Sequence, residues 1–213
     1  MNDIVIVDYG MGNLRSVANA FRLAAPQASV CVSGDPAVVE AASRIVFPGQ
    51  GAMPDCMRQL KETGLVDVLL RAAREKPFMG ICIGLQMLFC ETEEGHVDGL
   101  RVLSGQVRRF PETMTDVSGM RLKIPQMGWN RVRQVKSSPL WKDVPDNAWF
   151  YFVHSYYVAL DIDHADYMIG ETDYGMSYAS AVASDNLFGV QFHPEKSGKT
   201  GIQVLRNFVA WAP

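Results

Sequence analysis

The sequence predicts an α/β fold in three layers, with helices covering both faces of a central mixed, mostly parallel sheet and antiparallel strands added in the second half. In the first half, short apolar runs rich in Val and Ile alternate with segments of helical apolar spacing. Strands that are apolar on both faces are typical of buried parallel sheets. In the second half, strand-like segments follow one another with few helices between them, which indicates antiparallel hairpins.

The first half alternates strand and helix in order. Each predicted strand is a run dominated by Val, Ile or Phe, and each predicted helix repeats apolar residues at spacings of three and four. The strands are expected at 4–7, 28–32, 44–47 and 78–81. The helices are expected at 14–23 and 60–73, the second with a break at Gly64.

The second half is predicted to be mainly strands. They are expected at 100–110, 129–135, 149–155, 178–183 and 187–192, with an irregular stretch at 111–128 and a closing helix at 202–211. The sequence has no internal repeat and no linker. Its 213 residues suit one well-buried domain, so a single domain over 1–213 is expected.

The composition excludes several function classes. The chain is 48% hydrophobic and 20% charged. Its net charge of −3 gives no excess of positive charge that would indicate nucleic-acid binding. No signal peptide and no membrane-spanning run are evident. The four cysteines and four histidines are scattered. We therefore expect no metal site and a reducing, cytoplasmic location.

A cysteine between two glycines is the strongest indication of chemistry. Cys82 stands between Gly80 and Gly84, where a strand pattern changes to helical spacing at Leu85, Leu88 and Phe89. A reactive side chain on a sharp strand-to-helix turn needs small neighbours two residues to either side. The N-terminus of the following helix would favour the nucleophilic thiolate. The alternative is a small buried apolar cysteine.

A histidine and a glutamate late in the chain supply the other parts that acyl transfer needs. His193 and Glu195 follow an apolar strand. Residues i and i+2 of an extended backbone face the same side, and Pro194 disfavours a helical conformation at His193. The carboxylate can then orient an imidazole whose other nitrogen takes a proton from a thiol. For this segment alone, an exposed turn is the alternative.

A glycine-rich loop, Pro-Gly-Gln-Gly at 48–51, follows the third predicted strand. Ligands of open α/β sheets bind beyond the carboxyl ends of the strands. An acyl-transfer site there needs two N–H donors for the developing oxyanion. The candidates are the backbone N–H groups of Ile83 and of Gln50 or Gly51. Taken alone, the loop is equally well interpreted as a simple turn.

These motifs together carry a family resemblance. The segments Gly-Ile-Cys-Ile-Gly-Leu-Gln at 80–86, Pro-Gly-Gln-Gly at 48–51 and Phe-His-Pro-Glu at 192–195 resemble, in this order, the class I glutamine amidotransferases, which have a flavodoxin-like fold. Two further segments, Pro-Gln-Met-Gly-Trp-Asn at 125–130 and Tyr-Phe-Val-His-Ser-Tyr-Tyr at 151–157, narrow the resemblance to the glutaminase subunits of imidazole glycerol phosphate synthase. The resemblance covers essentially the whole chain.

The resemblance implies an activity and a partner. Glutamine would be hydrolysed to glutamate and ammonia through a glutamyl thioester, without a cofactor. A (β/α)8-barrel cyclase subunit, paired with this chain in a heterodimer, would receive the ammonia through a tunnel. The cyclase would make imidazole glycerol phosphate and an aminoimidazole carboxamide ribotide in histidine biosynthesis.

The resemblance also implies residue roles. Cys82 would be the nucleophile, His193 the acid/base and Glu195 its orienter. The positions matched to glutamine binding are Gly49, Gln86, Glu94, Ser155 and Tyr156. The positions matched to the partner interface and ammonia exit are Asn13, Trp129, Tyr151 and Lys196. The alternatives are a solvated acidic run for Glu94 and an ordinary buried tryptophan for Trp129.

Three positions depart from the family pattern. Ile83 stands where leucine is more usual, Gln126 where histidine is common and Gln50 where valine is common. Members of the family can hold the peptide of the 48–51 loop flipped until the partner's ligand binds. Low basal glutaminase activity that rises when the cyclase binds its nucleotide is therefore expected.

Two other interpretations stay open. A stand-alone γ-glutamyl hydrolase, or a glutaminase of another pathway, would share the cysteine, histidine and glutamate. It would not explain the segments at 125–130 and 151–157. A catalytically silent binding subunit would not need all three residues.

Overall fold

One mixed sheet forms the centre of the molecule. The computed structural model describes residues 3–160 and 162–213, and within them the sheet has thirteen strands. They are β1 (Ile4–Val7), β2 (Val30–Ser33), β3 (Arg44–Gly49), β4 (Phe78–Cys82), β5 (Glu91–Thr92), β6 (Val97–Asp98), β7 (Gln106–Arg109), β8 (Gln126–Gln134), β9 (Ala148–His154), β10 (Tyr156–Ala159), β11 (Met168–Asp173), β12 (Ser177–Ser184) and β13 (Leu187–Val190). The main strand order is β2-β1-β3-β4-β13-β12-β10-β7-β5-β6, with β11 joined to β12 and β8, and β9 joined to β8.

Helices surround this sheet. They are α1 (Leu14–Ala24), α2 (Pro36–Glu40), α3 (Met53–Glu62), α4 (Val66–Glu75), α5 (Ile83–Gln86) and α6 (Gly198–Ala210), with 3₁₀ turns at Pro139–Trp141, Ile162–Tyr167 and Pro194–Lys196. The apolar side of α1 packs against α6, where the rings of Phe21 and Phe208 meet edge to face at 6.2 Å. In the described ranges, no helix combines the length and apolar character that a membrane crossing requires.

The predicted fold class is confirmed. The strands β2, β1, β3, β4 and β13 pair in parallel, and β12, β10, β11, β8 and β9 add antiparallel pairs. The strands β1, β4 and β13 are buried along their whole length, as parallel strands covered on both faces should be. The carboxyl ends of β3, β4 and β13 therefore meet at one edge of the sheet.

The expected helix after Cys82 is wrong beyond its first turn. The helix α5 ends at Gln86, so Leu88 and Phe89 lie in a turn and not on a helix face. The backbone carbonyl of Met87 accepts from the N–H of residue 100 at 2.7 Å, and that of Leu88 accepts from residues 102 and 103 at 2.9 Å. A neighbouring segment thus takes the acceptors that a longer helix would have used.

Other boundaries also differ from the sequence prediction. The break at Gly64 is confirmed, but the helix before it begins at Met53 and not at residue 60. The predicted strand at 100–110 is reduced to β7. The elements α2, β5, β6, β10 and β11 were not predicted. The strand β10 has only four residues and β11 ends in the polar run Glu-Thr-Asp, so neither gives a clear period-two signal.

Gly84 allows the first turn of α5 to touch β3. A Cβ at this position would lie 1.8 Å from the carbonyl oxygen of Phe47. We expect Gly84→Ala to lower the free energy of unfolding by about 3 kcal/mol or more, because backbone must move to admit the methyl group. Urea denaturation followed by circular dichroism measures this loss.

Gly64→Ala is the matched control. Gly64 has a φ of +70°, and no atom of the described residues lies within 4 Å of the place that a Cβ would occupy, so only backbone strain of about 1 kcal/mol is expected. Equal losses in the two variants would contradict the close approach of α5 to β3.

Candidate active site

A cavity of about 260 Å³ opens at the carboxyl edge of the parallel strands. It brings together nine of the residues singled out in the sequence: Gln50, Gly51, Cys82, Ile83, Gln86, Glu94, Ser155, Tyr156 and His193. Pro125, Val153 and His154 complete its wall. A larger cavity of about 960 Å³ lies between α1 and α6, but it touches neither Cys82 nor His193. Size alone therefore does not identify the reactive site.

Cys82 occupies a strained turn at the end of β4. Its φ of 55° and ψ of −112° are uncommon for a residue with a side chain, and the residue is only 4% exposed. The glycines on either side are needed for packing. A Cβ on Gly80 would lie 2.9 Å from backbone atoms of Leu85, and Gly84 is in close contact with Phe47. The sharp turn predicted for this cysteine is present.

His193 and Glu195 are in direct contact. Nδ1 of His193 lies 2.9 Å from Oε1 of Glu195, and both side chains are almost fully buried. Because a carboxylate only accepts, Nδ1 carries a hydrogen and Nε2 is left to exchange a proton. Among the described residues, no atom forms a hydrogen bond of good geometry with Nε2. The Cys82 sulfur is nevertheless close enough to the imidazole to raise its pKa.

The extended geometry expected for this segment is only half right. His193 is extended, with φ −101° and ψ 97°, but Glu195 lies in the 3₁₀ turn Pro194–Lys196. The proline begins that turn, since its fixed φ suits the first position of a helix. The carboxylate therefore reaches the imidazole across a tight turn and not along one face of a strand.

The surroundings of His193 favour its charged form. Burial alone lowers the pKa of His193, but the neighbouring Cys82 and Glu195 outweigh burial and raise it to about 10. A protonated imidazole beside a sulfur is the arrangement that supports a thiolate.

The backbone of His193 is tied to β9. Its N–H donates to the carbonyl of Tyr151 at 2.9 Å, and its own carbonyl accepts from Oγ of Ser197 at 2.6 Å. The same Oγ accepts from the N–H of Tyr151 at 3.0 Å. The position of the imidazole therefore depends on the position of β9.

The 48–51 loop lies beside the cysteine. Gly49 stands opposite Cys82 in the β3–β4 register, where a Cβ would come within 2.9 Å of Tyr9, Ile83 and Gly84. The carbonyl of Gln50 accepts a hydrogen bond from Sγ of Cys56 at 3.6 Å. Since a trans peptide points its C=O and N–H in opposite directions, the N–H of residue 51 points away from α3.

Two polar side chains in the cavity are held in place. Oε2 of Glu94 accepts from the N–H of Met53 at 2.9 Å, and burial raises the pKa of Glu94. The alternative of a fully solvated acidic run is wrong for this residue. Gln86 is 1% exposed, with its Nε2 hydrogen-bonded and its Oε1 without a partner among the described residues.

Two polar residues of the site were given no role from the sequence. Gln191 is fully buried, and its Nε2 donates to Sγ of Cys82 at 3.7 Å. His154 is 6% exposed, and its Nδ1 lies 2.8 Å from the carbonyl of Tyr156. A glutamine inside the apolar run Phe-Gly-Val-Gln-Phe was a usable signal, because a polar side chain in a buried strand needs a partner.

An exposed aromatic face lies on the hairpin of β8 and β9. Trp129 is 54% exposed, so the buried-tryptophan alternative is wrong, and its ring meets that of Tyr151 edge to face at 6.1 Å. Nζ of Lys196 lies 5.5 Å from the Tyr151 ring. Met127 and Trp149, 66% and 49% exposed, extend the face and were missed. Trp129, Tyr151, Met127 and Trp149 are called the aromatic face below.

Asn13 is far from this hairpin in the chain and directly precedes α1 as its N-cap. Its side-chain oxygen accepts from the N–H of Ser16 at 3.4 Å, which caps the helix. The residue is exposed, so the cap leaves it accessible from outside.

Burial of His154 makes the stability of the fold depend on pH. Burial lowers its pKa to about 4. The unfolded chain takes up the proton below about pH 6.5, whereas the folded protein resists it until about pH 4. The free energy of unfolding should therefore be highest above about pH 6.5 and fall as the pH drops toward 4.

We expect His154→Gln to remove about 2 to 3 kcal/mol of the stability difference between about pH 7.5 and about pH 4.5, as measured by urea denaturation. His96→Asn, at an exposed position, is the control and should retain the wild-type difference. An unchanged pH dependence in His154→Gln would show that this imidazole is not the group responsible.

The chain matches the family model described as glutamine amidotransferase class-I over residues 5–211. A relative from Aromatoleum aromaticum, named imidazole glycerol phosphate synthase subunit HisH, is 58% identical over 214 residues, covering 100% of both chains. Relatives of the same name from Nitrosospira multiformis and Nitrosomonas europaea are 54% and 49% identical, again over 100% of both chains.

Solved structures show the same fold at low identity. A putative GMP synthase protein from Thermoplasma acidophilum has a TM-score of 0.69 at 16% identity, covering 98% of this chain and 92% of that chain. The glutaminase domain of Trypanosoma brucei CTPS, with bound acivicin, has a TM-score of 0.61 at 18% identity, covering 98% and 94%. At such identities the likeness concerns the fold alone.

Proposed function

Because this chain belongs to the class I glutamine amidotransferase family and is a glutamine amidotransferase, we propose that it is the glutaminase subunit that supplies ammonia to an imidazole glycerol phosphate synthase. One observation carries the proposal: an imidazole that is bonded to a buried carboxylate adjoins a cysteine on a strained turn, in one cavity. The chain acts as a single amidotransferase domain over 1–213.

The chemistry is acyl transfer to sulfur. The Cys82 thiolate attacks the side-chain amide carbon of glutamine, and the negative charge moves to the amide oxygen. The N–H of Ile83 and that of Gln50 or Gly51 stabilise this oxyanion. His193 then gives its proton to the departing nitrogen, which leaves as ammonia, and a thioester remains.

Water completes the cycle. His193, held by Glu195, takes a proton from a water molecule that attacks the thioester carbon. The second oxyanion collapses, the carbon–sulfur bond breaks and glutamate leaves. The net reaction converts glutamine and water to glutamate and ammonia, and the cysteine returns to its starting state.

The cavity offers groups for the amino-acid end of the substrate. The carboxylate of Glu94 suits the α-ammonium group, and the free Oε1 of Gln86 can accept from the same group. The neighbouring backbone of Ser155 and Tyr156 and the loop at Gly49 enclose the rest of the glutamine. Such groups fix the orientation of the amide toward the sulfur.

The partner is a (β/α)8-barrel cyclase subunit in a heterodimer. The aromatic face supports this, since two exposed tryptophans and a half-buried tyrosine next to a basic residue are typical of interface centres. In the proposal Trp129, Tyr151, Lys196 and Asn13 lie at the contact, and ammonia leaves through it before water protonates it. Four free cysteines fit a reducing cytoplasm.

The test is glutamate release from glutamine. We expect low activity from the chain alone and a large rise when a cyclase subunit with its nucleotide is added. Cys82→Ala should lower the stimulated rate by about four orders of magnitude or more, because the nucleophile is lost. Cys90→Ala, at a half-buried cysteine outside the cavity lining, is the matched control.

Each alternative has its own outcome. Equal activity with and without the cyclase would favour an independent glutaminase or γ-glutamyl hydrolase. Inactivity in every mixture, with a cyclase that still accepts free ammonia, would favour a silent binding subunit. Full activity of Cys82→Ala would overturn the proposed chemistry.

The aromatic face generates a separate binding prediction. We expect Trp129→Ala to weaken cyclase binding by about 2 kcal/mol, or about 30-fold in Kd, because a large exposed ring would be buried at the contact. Isothermal titration calorimetry measures the change. Leu23→Ala, at a 62% exposed apolar residue on α1, should leave the affinity unchanged. Equal effects of the two substitutions would place the interface elsewhere.

A further inference from the structure

We infer that Gln191 stabilises the negative charge on the Cys82 sulfur, and that Gln86 and the Tyr156 carbonyl fix the orientation in which it does so. The inference rests on the proposed role of Cys82 as nucleophile and deepens it. Gln191 directly follows β13, is fully buried and donates from its Nε2 to Sγ at 3.7 Å. Gln191 thus touches the reacting atom, whereas Gln86 acts on it only through Gln191.

The Tyr156 carbonyl determines the direction of this hydrogen bond. A carbonyl oxygen only accepts, and this one accepts from Nε2 of Gln86 at 3.0 Å and lies 2.8 Å from Nδ1 of His154. With one hydrogen held there, Nε2 of Gln86 donates its second hydrogen to Oε1 of Gln191 at 2.9 Å. Oε1 of Gln191 therefore faces Gln86, and its Nε2 faces the sulfur.

The reverse orientation is unfavourable at each link. Turning over the amide of Gln191 would set its Oε1 against the sulfur and its Nε2 against the Nε2 of Gln86, so that two donors would face each other. Turning over Gln86 as well would set its Oε1 against the Tyr156 carbonyl, so that two acceptors would face each other. Both glutamines are buried, so water cannot compensate for such a mismatch.

Three other ionisable groups near the sulfur do not stabilise its negative charge. Tyr9, two residues after β1, and Cys56, on α3, are close enough to interact electrostatically with the sulfur. Burial raises the pKa of each, so both stay neutral near pH 7. Glu94 lines the same cavity, and its charge opposes a thiolate. The His193 imidazolium and the Gln191 amide both favour the thiolate, and Gln191 does so without a charge of its own.

The hydrogen bond from Gln191 to the sulfur should affect how the reactivity of Cys82 depends on pH. A donor binds an anionic sulfur more strongly than a neutral thiol, so it increases the thiolate fraction at a given pH. It also lowers the intrinsic nucleophilicity of that thiolate. Loss of the donor should therefore move the pH profile of the sulfur's reactivity upward without lowering the rate at high pH. A purely structural role would not separate these two effects.

Gln191→Met tests this, because methionine has a similar volume and no donor. Iodoacetamide alkylation of Cys82 is followed by mass spectrometry of its peptide from about pH 5 to about pH 10. We expect the midpoint of the rate profile to move up by about 1 pH unit, with an equal or faster rate at high pH. Gln203→Met, at a glutamine on α6 that bonds to Asn207, is the control and should leave the midpoint unchanged.

A second measurement does not depend on the folding of a variant at position 191. In the wild-type chain, the ¹⁵N chemical shift of the Gln191 side-chain amide should change with pH at the same midpoint as Cys82 alkylation. Cys82→Ala should abolish this pH-dependent change. An amide that does not titrate, or an unchanged midpoint in folded Gln191→Met, overturns the inference. If Cys82→Ala is then inactive in glutamate release with the cyclase, the proposed function survives and only the role of Gln191 fails.

Discussion

Parallel pairing of β4 with β3 and β13 is the constraint on which the whole site depends. The register places Gly49 beside Cys82 and Val190 beside Ile81, so the 48–51 loop, the cysteine and the segment 191–195 leave the sheet side by side. A slip of one residue would turn the side chains of a strand to the opposite face. The strained turn at Cys82 is stable because glycines let α5 and β3 approach without Cβ atoms between them.

The same hydrogen-bonded framework connects the cavity to the surface. The Tyr151 carbonyl holds the N–H of His193, while the Tyr151 ring belongs to the aromatic face and lies beneath Lys196. A partner that shifted β9 would therefore shift the backbone that positions the imidazole. This gives a physical reason why binding at the aromatic face and reactivity at Cys82 should be coupled, since both depend on one strand.

Sequence reasoning succeeded where a pattern has one local cause. The glycines around Cys82 and the alternation of strands and helices led directly to the turn and the parallel sheet. It failed where distant backbone decided the outcome. The turn after Gln86 exists because residues 100–103 bond to the carbonyls of residues 87–89. Gln191 was missed for a similar reason, because its partner Gln86 is 105 positions away in the chain.

One acceptor, the Tyr156 carbonyl, determines the direction of the hydrogen bonds in the network behind the cavity. Nδ1 of His154 faces the Tyr156 carbonyl, so it carries the hydrogen and Nε2 must accept from the hydroxyl of Tyr178, 3.2 Å away. That hydroxyl has a single hydrogen, yet Oε1 of Gln126, a second acceptor, also lies 2.9 Å from it, while Nε2 of Gln126 has no partner among the described residues. Rotating the Gln126 amide by half a turn lets its Nε2 donate to the Tyr178 oxygen and leaves the hydroxyl hydrogen for His154, while Oε1 of Gln126 moves to the position without a partner among the described residues. Burial thus favours the neutral form of His154 and the Tyr156 carbonyl sets its tautomer, and the same carbonyl holds the Gln86 amide that aims Gln191 at the sulfur.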